Sequence, residues 1–146
     1  MAGIGEAASI IQIIGTAEQV LTLCIKYYTS VKNARKDAQR LQNEVIALRD
    51  TLESLQEIVD GGANTSLLGV QKLRLNGFLT FCHCELQVLS EKLEKGQSFD
   101  KFGKRLLKWP FTSKEIESLV QLFERYKSSI NLTLGVDQRC VHYDPV

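Results

Sequence analysis

The chain has 146 residues, of which 44% are apolar and 24% are charged, and its formal net charge at pH 7 is +1. This size and composition predict one globular domain with a single core and exclude a disordered chain. A charge this close to neutral argues against a dedicated nucleic-acid binder, which needs a concentrated basic excess to contact phosphates. We therefore expect no nucleic-acid partner.

The first predicted helix runs from about Gly3 to Val31 and carries only Glu6 and Glu18 as charges before Lys26. Its side chains are apolar around most of the circumference, which is unusual for a surface helix. Two environments suit such a helix. It can be the central helix of a bundle, or it can enter a bilayer, because residues 7–25 cover roughly 28 Å as a helix, close to the apolar thickness of a membrane.

The second predicted helix extends from about Lys36 to Val59. Its apolar residues alternate spacings of three and four, a heptad pattern typical of helices packed side by side. Gly61 and Gly62 should end it, because glycine accepts the left-handed conformation that follows many helices. The heptad face consists of Leu41, Val45, Leu48, Leu52, Leu55 and Val59.

The third predicted helix begins near Ser66, with Asn64 or Thr65 as its cap, and ends at Gly96. Its apolar residues again follow spacings of mostly three and four, which indicates a further helix of the same bundle. They are Leu75, Phe78, Leu79, Cys82, Leu86, Leu89 and Leu93.

The connection from Gln97 to Phe111 interleaves cations with aromatic and aliphatic side chains. This mixture suits the interface of an anionic membrane, where each cation contributes about 1 kcal/mol. In the alternative interpretation, Trp109, Pro110 and Phe111 pack the connection onto the bundle while the cations stay in water. The candidate membrane-surface residues are Lys101, Lys104, Arg105, Lys108 and Trp109, and the apolar residues among them are Phe99, Phe102, Leu106 and Leu107.

The fourth predicted helix opens with a capping box formed by Thr112 and Glu115, and Gly135 is expected to close it. No proline interrupts residues 4–108, which favours long helices. We predict an all-α, antiparallel four-helix bundle over residues 1–135, with an additional loop or short helix before the last helix. Residues 136–146 are interpreted as a tail or a linker to a further C-terminal region. The apolar face of the fourth helix is Ile116, Leu119, Val120, Phe123, Tyr126, Ile130 and Leu134.

The amino terminus lacks the basic region of a secretory signal, and Ala2 follows Met1 where N-myristoylation needs a glycine. We therefore expect a cytoplasmic protein with reduced thiols.

No catalytic motif is recognisable: the two histidines have no companion nucleophile, and neither a phosphate-binding glycine loop nor an HExxH metal motif occurs. Neighbouring residues such as Cys82, His83 and Cys84 point in divergent directions on a helix, which disfavours a zinc site completed by Cys140 and His142. We expect no enzymatic activity, cofactor or metal. The cysteines Cys24, Cys82, Cys84 and Cys140 are interpreted as small buried thiols.

Three stretches resemble a known family: GIGEAASIIQIIGTAEQV, KYYTSVKNARKDAQRLQNEVIALRDTLESL and KRLLKWPFTSKEIESLVQLFERYKSSINLTL. From about residue 3 to 135 the chain is similar to the HeLo-like amino-terminal domain of many fungal NLR-like signalling proteins, and to the related HeLo domain of the HET-S incompatibility protein. The most specific part is Trp109, Pro110 and Phe111 followed by Glu115 and the aliphatic repeat.

The resemblance implies an execution module of programmed cell death. Such a bundle is quiet as a monomer in the cytoplasm, self-associates when an upstream NLR-like or amyloid-motif partner brings copies together, and acts on lipids of the plasma membrane, with anionic lipids favoured. Related bundles occur in the mixed-lineage kinase-like necroptosis effector and in plant coiled-coil immune receptors.

The resemblance also implies that the first helix leaves the fold and enters the membrane. Glu18 would then need a pore lumen, a neighbouring copy or Lys26 as its partner, whereas otherwise it is a plain surface residue. The implied membrane-insertion residues are Ile4, Ala7, Ile10, Ile11, Ile13, Ile14, Ala17, Glu18 and Leu21.

A second function class stays open. The bundle could be a soluble oligomerisation or interaction module that uses the heptad face of the second helix, or the fourth helix, to bind like domains without touching lipid.

Overall fold

The computed structural model describes the backbone of residues 9–60, 69–99, 101–102 and 105–142 and, within these, the side chains of residues 9–59, 75–97, 101–102 and 106–132. This part of the chain forms an all-α bundle with four helices, as predicted. The helices are α1 (Ile10–Ser30), α2 (Arg35–Asp60), α3 (Gly69–Lys95) and α4 (Ser113–His142), and a 3₁₀ turn spans Lys32–Ala34.

The core lies along the heptad face of α2, as the spacing predicts. Leu41, Val45, Leu48, Leu52 and Leu55 have no exposed surface. Each burial of this kind stabilises the fold by about 1.5–3 kcal/mol, so the face is a main source of bundle stability. It is also covered within the bundle and therefore offers no free surface to a like domain.

The helix α1 is part of the same core. Its buried side chains face α2 and α3, so in this structure α1 has the first of its two possible environments, that of a central helix. They are Ile13, Ala17, Val20, Leu21, Leu23, Cys24 and Tyr27.

Contacts between helices define their order around the bundle. The helix α1 packs against α2 and α3, and α4 packs against the same two helices. Helices that follow one another in the sequence run in opposite directions. Two pairs that are neighbours in space, α1 with α3 and α2 with α4, run in the same direction. Residues 16 and 27 of α1 contact residues 83 and 93 of α3, and residues 37 and 44 of α2 contact residues 113 and 127 of α4. Consecutive helices α2 and α3 thus occupy opposite corners.

The predicted capping box of the fourth helix is confirmed. The Thr112 hydroxyl accepts a hydrogen bond from the Glu115 N–H at 3.1 Å, and the Glu115 carboxylate accepts one from the Thr112 N–H at 2.8 Å. The latter bond, followed by the bond from Lys92, holds the pKa of Glu115 below its ordinary value.

Several predicted boundaries are wrong. Ser9 has an extended backbone and forms its own capping box with Gln12, so no uninterrupted helix runs on from Gly3. Gly135 does not end α4, because a glycine inside a helix costs only about 1 kcal/mol and no proline lies between Gly135 and Pro145. The caps expected at Asn64 or Thr65 lie outside the described residues.

The connection before α4 is neither a plain loop nor a short helix. It contains an antiparallel hairpin of β1 (Gln97–Phe99) and β2 (Arg105–Leu107), in which Ser98 pairs with Leu106. Each strand has three residues, which leaves the all-α class unchanged.

Candidate functional site

The end of the hairpin presents apolar and basic side chains to solvent. Phe102 is 83% exposed and Leu106 is 47% exposed. Lys101 is exposed as well, and its Nζ lies 5.6 Å from the centroid of the Phe102 ring. We call Lys101, Phe102 and Leu106 the hairpin tip. The side chains of Lys104 and Arg105 lie outside the described residues.

Trp109 does not belong to this tip. Its indole ring is half-buried and meets the rings of Tyr27 and Phe111 edge-on, with both centroid distances at 5.3 Å. Of the two interpretations of Trp109, the structure supports the anchor that packs the connection onto the bundle. Phe102, an aromatic residue that sequence reasoning gave no separate role, takes the exposed position instead.

Tyr27 and Gly96 fix the base of the hairpin to α1. The Tyr27 hydroxyl donates a hydrogen bond to the carbonyl oxygen of Leu93 at 2.5 Å, and the Lys108 N–H donates one to the carbonyl oxygen of Gly96 at 2.9 Å. A Cβ atom at Gly96 would overlap the Tyr27 hydroxyl and lie 2.5 Å from the Lys108 carbonyl oxygen. We call Tyr27, Gly96 and Trp109 the hairpin root.

The hairpin root was not predicted. Sequence reasoning treated Gly96 only as a helix stop and Tyr27 not at all, because their contact joins parts of the chain nearly 70 residues apart. No local pattern carries that information.

The predicted insertion residues of α1 do not share one environment. Ile13, Ala17 and Leu21 are buried, Ile10 and Ile14 are half-buried, and Ile11 and Glu18 are exposed. Ile4 and Ala7 lie outside the described residues. Glu18 is the one charged residue among the exposed residues of α1, which are Ile11, Gln12, Gly15, Glu18, Gln19, Thr22, Ile25, Thr29 and Ser30.

The hydroxyls of α1 add little polarity to that exposed side. Thr22 donates to the carbonyl oxygen of Glu18 at 3.1 Å, and Thr29 donates to that of Ile25 at 3.0 Å. Such hydrogen bonds within a helix satisfy the side-chain donor without an outside partner. Among the described residues, no helix has both the length and the hydropathy of a membrane span.

The cysteines whose side chains the structure describes divide between core and surface, and the side chain of Cys140 lies outside the described residues. Burial raises the pKa of Cys24 and of Cys82 to about 12, so both thiols stay protonated at neutral pH. Cys84 is exposed, and the prediction that it is buried is wrong, because α3 carries apolar side chains on its solvent face as well as on its core face. The described residues contain no cluster of three possible metal ligands.

A polar contact between α2 and α4 was also missed. The Lys127 ammonium lies 2.9 Å from the largely buried carboxylate of Glu44 and 3.0 Å from that of Glu124. Burial raises the pKa of Glu44, although the hydrogen bond from Lys127 partly offsets the effect. Glu44 lies three residues after Leu41 and four before Leu48, so the spacing places it beside the heptad face, but its charge masks that signal.

Comparison with known proteins gives one family. The model of the family described as Pigment biosynthesis cluster protein PigL N-terminal matches residues 1–138, which include the hairpin and all but the last four residues of α4. No significant match was found among curated proteins or among solved structures.

Proposed function

The chain belongs to the PigL N-terminal family, and we propose that its bundle is a membrane-targeting module that clusters on activation and permeabilises membranes through α1. In this proposal the finer assignment is a HeLo-like domain and the biological role is the execution of programmed cell death. The protein is cytoplasmic at rest and moves to the plasma membrane when an NLR-like or amyloid-motif partner gathers several copies.

The hairpin tip is the main support for this proposal. An apolar wedge beside a cation, as Phe102 is beside Lys101, suits the boundary between head groups and acyl chains of an anionic membrane. The phenyl ring of Phe102 is 83% exposed and Leu106 on the same hairpin is 47% exposed, and exposed apolar groups that lie together mark contact surfaces.

The energetics of α1 explain why activation needs several copies. Ile13, Val20 and Leu21 are buried, and losing their burial costs about 1.5–3 kcal/mol each, which approaches the 5–15 kcal/mol of a whole domain. A single bundle therefore keeps α1 in its core. Contact with lipid and with neighbouring copies has to offset this cost.

The test compares monomeric protein with protein clustered by a fused oligomer, each mixed with dye-loaded vesicles. We expect leakage from anionic vesicles only with clustered protein, and less leakage as salt is added. The tip variant F102S/L106S should lose most leakage, whereas L132S, which removes a 64% exposed apolar side chain of α4, should not. Clustered protein that leaves anionic vesicles intact would refute the proposal.

A soluble interaction module is the second candidate. Phe81 on α3 and Leu132 on α4 are both 64% exposed and lie on helices that carry no part of the hairpin, which favours an additional protein contact. This candidate predicts that the isolated domain self-associates in lipid-free buffer and that F81S/L132S abolishes the association. Sedimentation velocity at several concentrations measures both effects.

A further inference from the structure

A groove runs between α3 and α4 and continues past the base of the hairpin. We infer that this groove binds a single-chain amphiphile with an anionic head group. The inference goes beyond the proposed function, because such a ligand is a free molecule and the binding requires no bilayer.

The first half of the groove is open, and most of its surface is apolar. It has a volume of about 410 Å³ and lies between the amino-terminal part of α4 and the second half of α3. Val88 is 57% exposed here, although neighbouring residues on α3 are buried. Volumes of this size are typical of small-molecule sites. The apolar lining consists of Val88, Leu89, Phe111 and Leu119, and the charged side chains of this half are Glu85, Lys92, Lys114 and Glu115.

The second half of the groove is basic. Its volume is about 470 Å³, and its charged side chains are three lysines, Lys92, Lys95 and Lys108, beside the ring of Trp109. Lys92 already pairs with the Glu115 carboxylate at 3.0 Å. Lys95 and Lys108 form no ion pair within the described part of the chain, so two ammonium groups are available to an anion.

The two halves form one path. Both are lined by Lys92, Phe111 and Thr112, and the Lys92 ammonium lies 4.9 Å from the centroid of the Phe111 ring. An acyl chain lying on Val88 and Leu119 therefore crosses Phe111 and brings its head group to Lys95 and Lys108. Charge at one end and apolar surface at the other match a fatty-acid-like molecule better than a peptide, which carries polar amides along its whole length.

The single tryptophan of the chain reports directly on this site. Decanoate, added below its micelle concentration, should give a saturable change in Trp109 emission. Decyltrimethylammonium, with the same chain and the opposite charge, and acetate, with a carboxylate and no chain, should give none. A similar saturable change with decyltrimethylammonium, or the absence of saturation with decanoate, would overturn the inference.

Two variants test the two halves separately. We expect K95Q/K108Q and V88D each to weaken decanoate binding by about tenfold or more, because one removes the charge partners and the other obstructs the apolar path. The matched controls are K32Q/K36Q, two exposed lysines at the turn between α1 and α2, and Q87D, an exposed residue next to Val88 that does not line the groove. Circular dichroism verifies that all four proteins are folded. Equal binding by the groove variants and the controls would refute the site, whatever the outcome of the vesicle experiments.

Discussion

Trp109 combines a favourable ring environment with an unsatisfied polar atom. Its ring packs between Tyr27 and Phe111, but its buried indole N–H has no hydrogen-bond partner. A buried donor of this kind costs about 1–3 kcal/mol. The residue therefore stabilises the hairpin root by its ring and not by its nitrogen.

Two substitutions of Trp109 distinguish the stabilisation by its ring from the cost of its unpaired indole N–H. W109A should lower the free energy of unfolding by about 3 kcal/mol, because a half-buried aromatic anchor is lost. W109F keeps most ring contacts and removes the unpaired donor, so its loss should be below about 1 kcal/mol. Urea denaturation followed by circular dichroism measures both. Equal losses in the two variants would contradict this account of Trp109.

At the scale of elements, the contact between α2 and α4 predicts a pH effect. K127M leaves the Glu44 carboxylate largely buried without its cation, which should cost about 2 kcal/mol at pH 7. Burial raises the pKa of Glu44 in the folded state, so the folded protein binds this proton more tightly than the unfolded chain does. The protonated carboxyl group therefore favours folding at low pH, and this contribution to stability is lost as the pH rises through the folded-state pKa. Removing Lys127 raises this pKa further.

The deficit of K127M relative to the unmodified protein should therefore be larger at pH 7 than at pH 5. Urea denaturation at the two pH values gives the comparison. The double variant E44L/K127M removes the buried carboxylate together with its partner and should recover most of the loss. A deficit that is independent of pH would show that Glu44 is not the group responsible.

One substitution on the buried side of α1 and one on its exposed side test how this helix is placed in the bundle. Leu21 is 7% exposed, and L21K should lower the free energy of unfolding by about 4 kcal/mol or more, because it places a charge in the core. Glu18 is exposed, and E18Q should change the free energy of unfolding by less than about 0.5 kcal/mol. Thermal unfolding measures both, and vesicle leakage by clustered E18Q then reports whether that charge acts in the membrane. A stable L21K protein would mean that α1 is not held in the core.

The sequence predicts some elements well for a physical reason. The spacing of Leu41, Val45 and Leu48 identifies the buried face of α2, and the Thr112 capping box identifies the start of α4, because both patterns are local. The hairpin has three residues per strand, too few for an alternation to stand out from a loop. Phe102 and Trp109 belong to the same basic connection and look alike in the sequence. Only the contact of Trp109 with Tyr27 shows that Trp109 is the buried anchor and Phe102 the exposed ring.

At the scale of the whole molecule, the order of the helices could not be predicted from the spacing. Heptad faces pack equally well whether consecutive helices occupy adjacent or opposite corners of the bundle. Eight residues separate α2 from α3. At up to about 3.5 Å per residue, that length is enough to reach an adjacent or an opposite corner. The short connection of residues 31–34 does restrict α1 and α2 to adjacent positions.

The helix order is testable by cross-linking. Gln19 of α1 donates a hydrogen bond to Glu94 of α3 at 2.9 Å, so Q19C/E94C should be joined within one molecule by a short bifunctional maleimide. Q19C/E124C places its two cysteines on α1 and α4, which occupy opposite corners, and should not be cross-linked within one molecule. Both pairs are placed in a background with Cys84 and Cys140 replaced by serine, and mass spectrometry identifies the linked peptides. Equal linking of the two pairs would contradict the order given above.

The hairpin root also predicts which end of α1 would detach first in the proposed activation. Tyr27 lies in the last turn of α1, where its hydroxyl, its ring and the close approach of Gly96 hold the helix to α3 and to the hairpin. At the opposite end, the capping box of Ser9 and Gln12 joins α1 only to itself. If α1 leaves the bundle as proposed, we therefore expect it to detach from residue 9 toward residue 30, with the hairpin still packed against the bundle while the amino-terminal turns of α1 are already free.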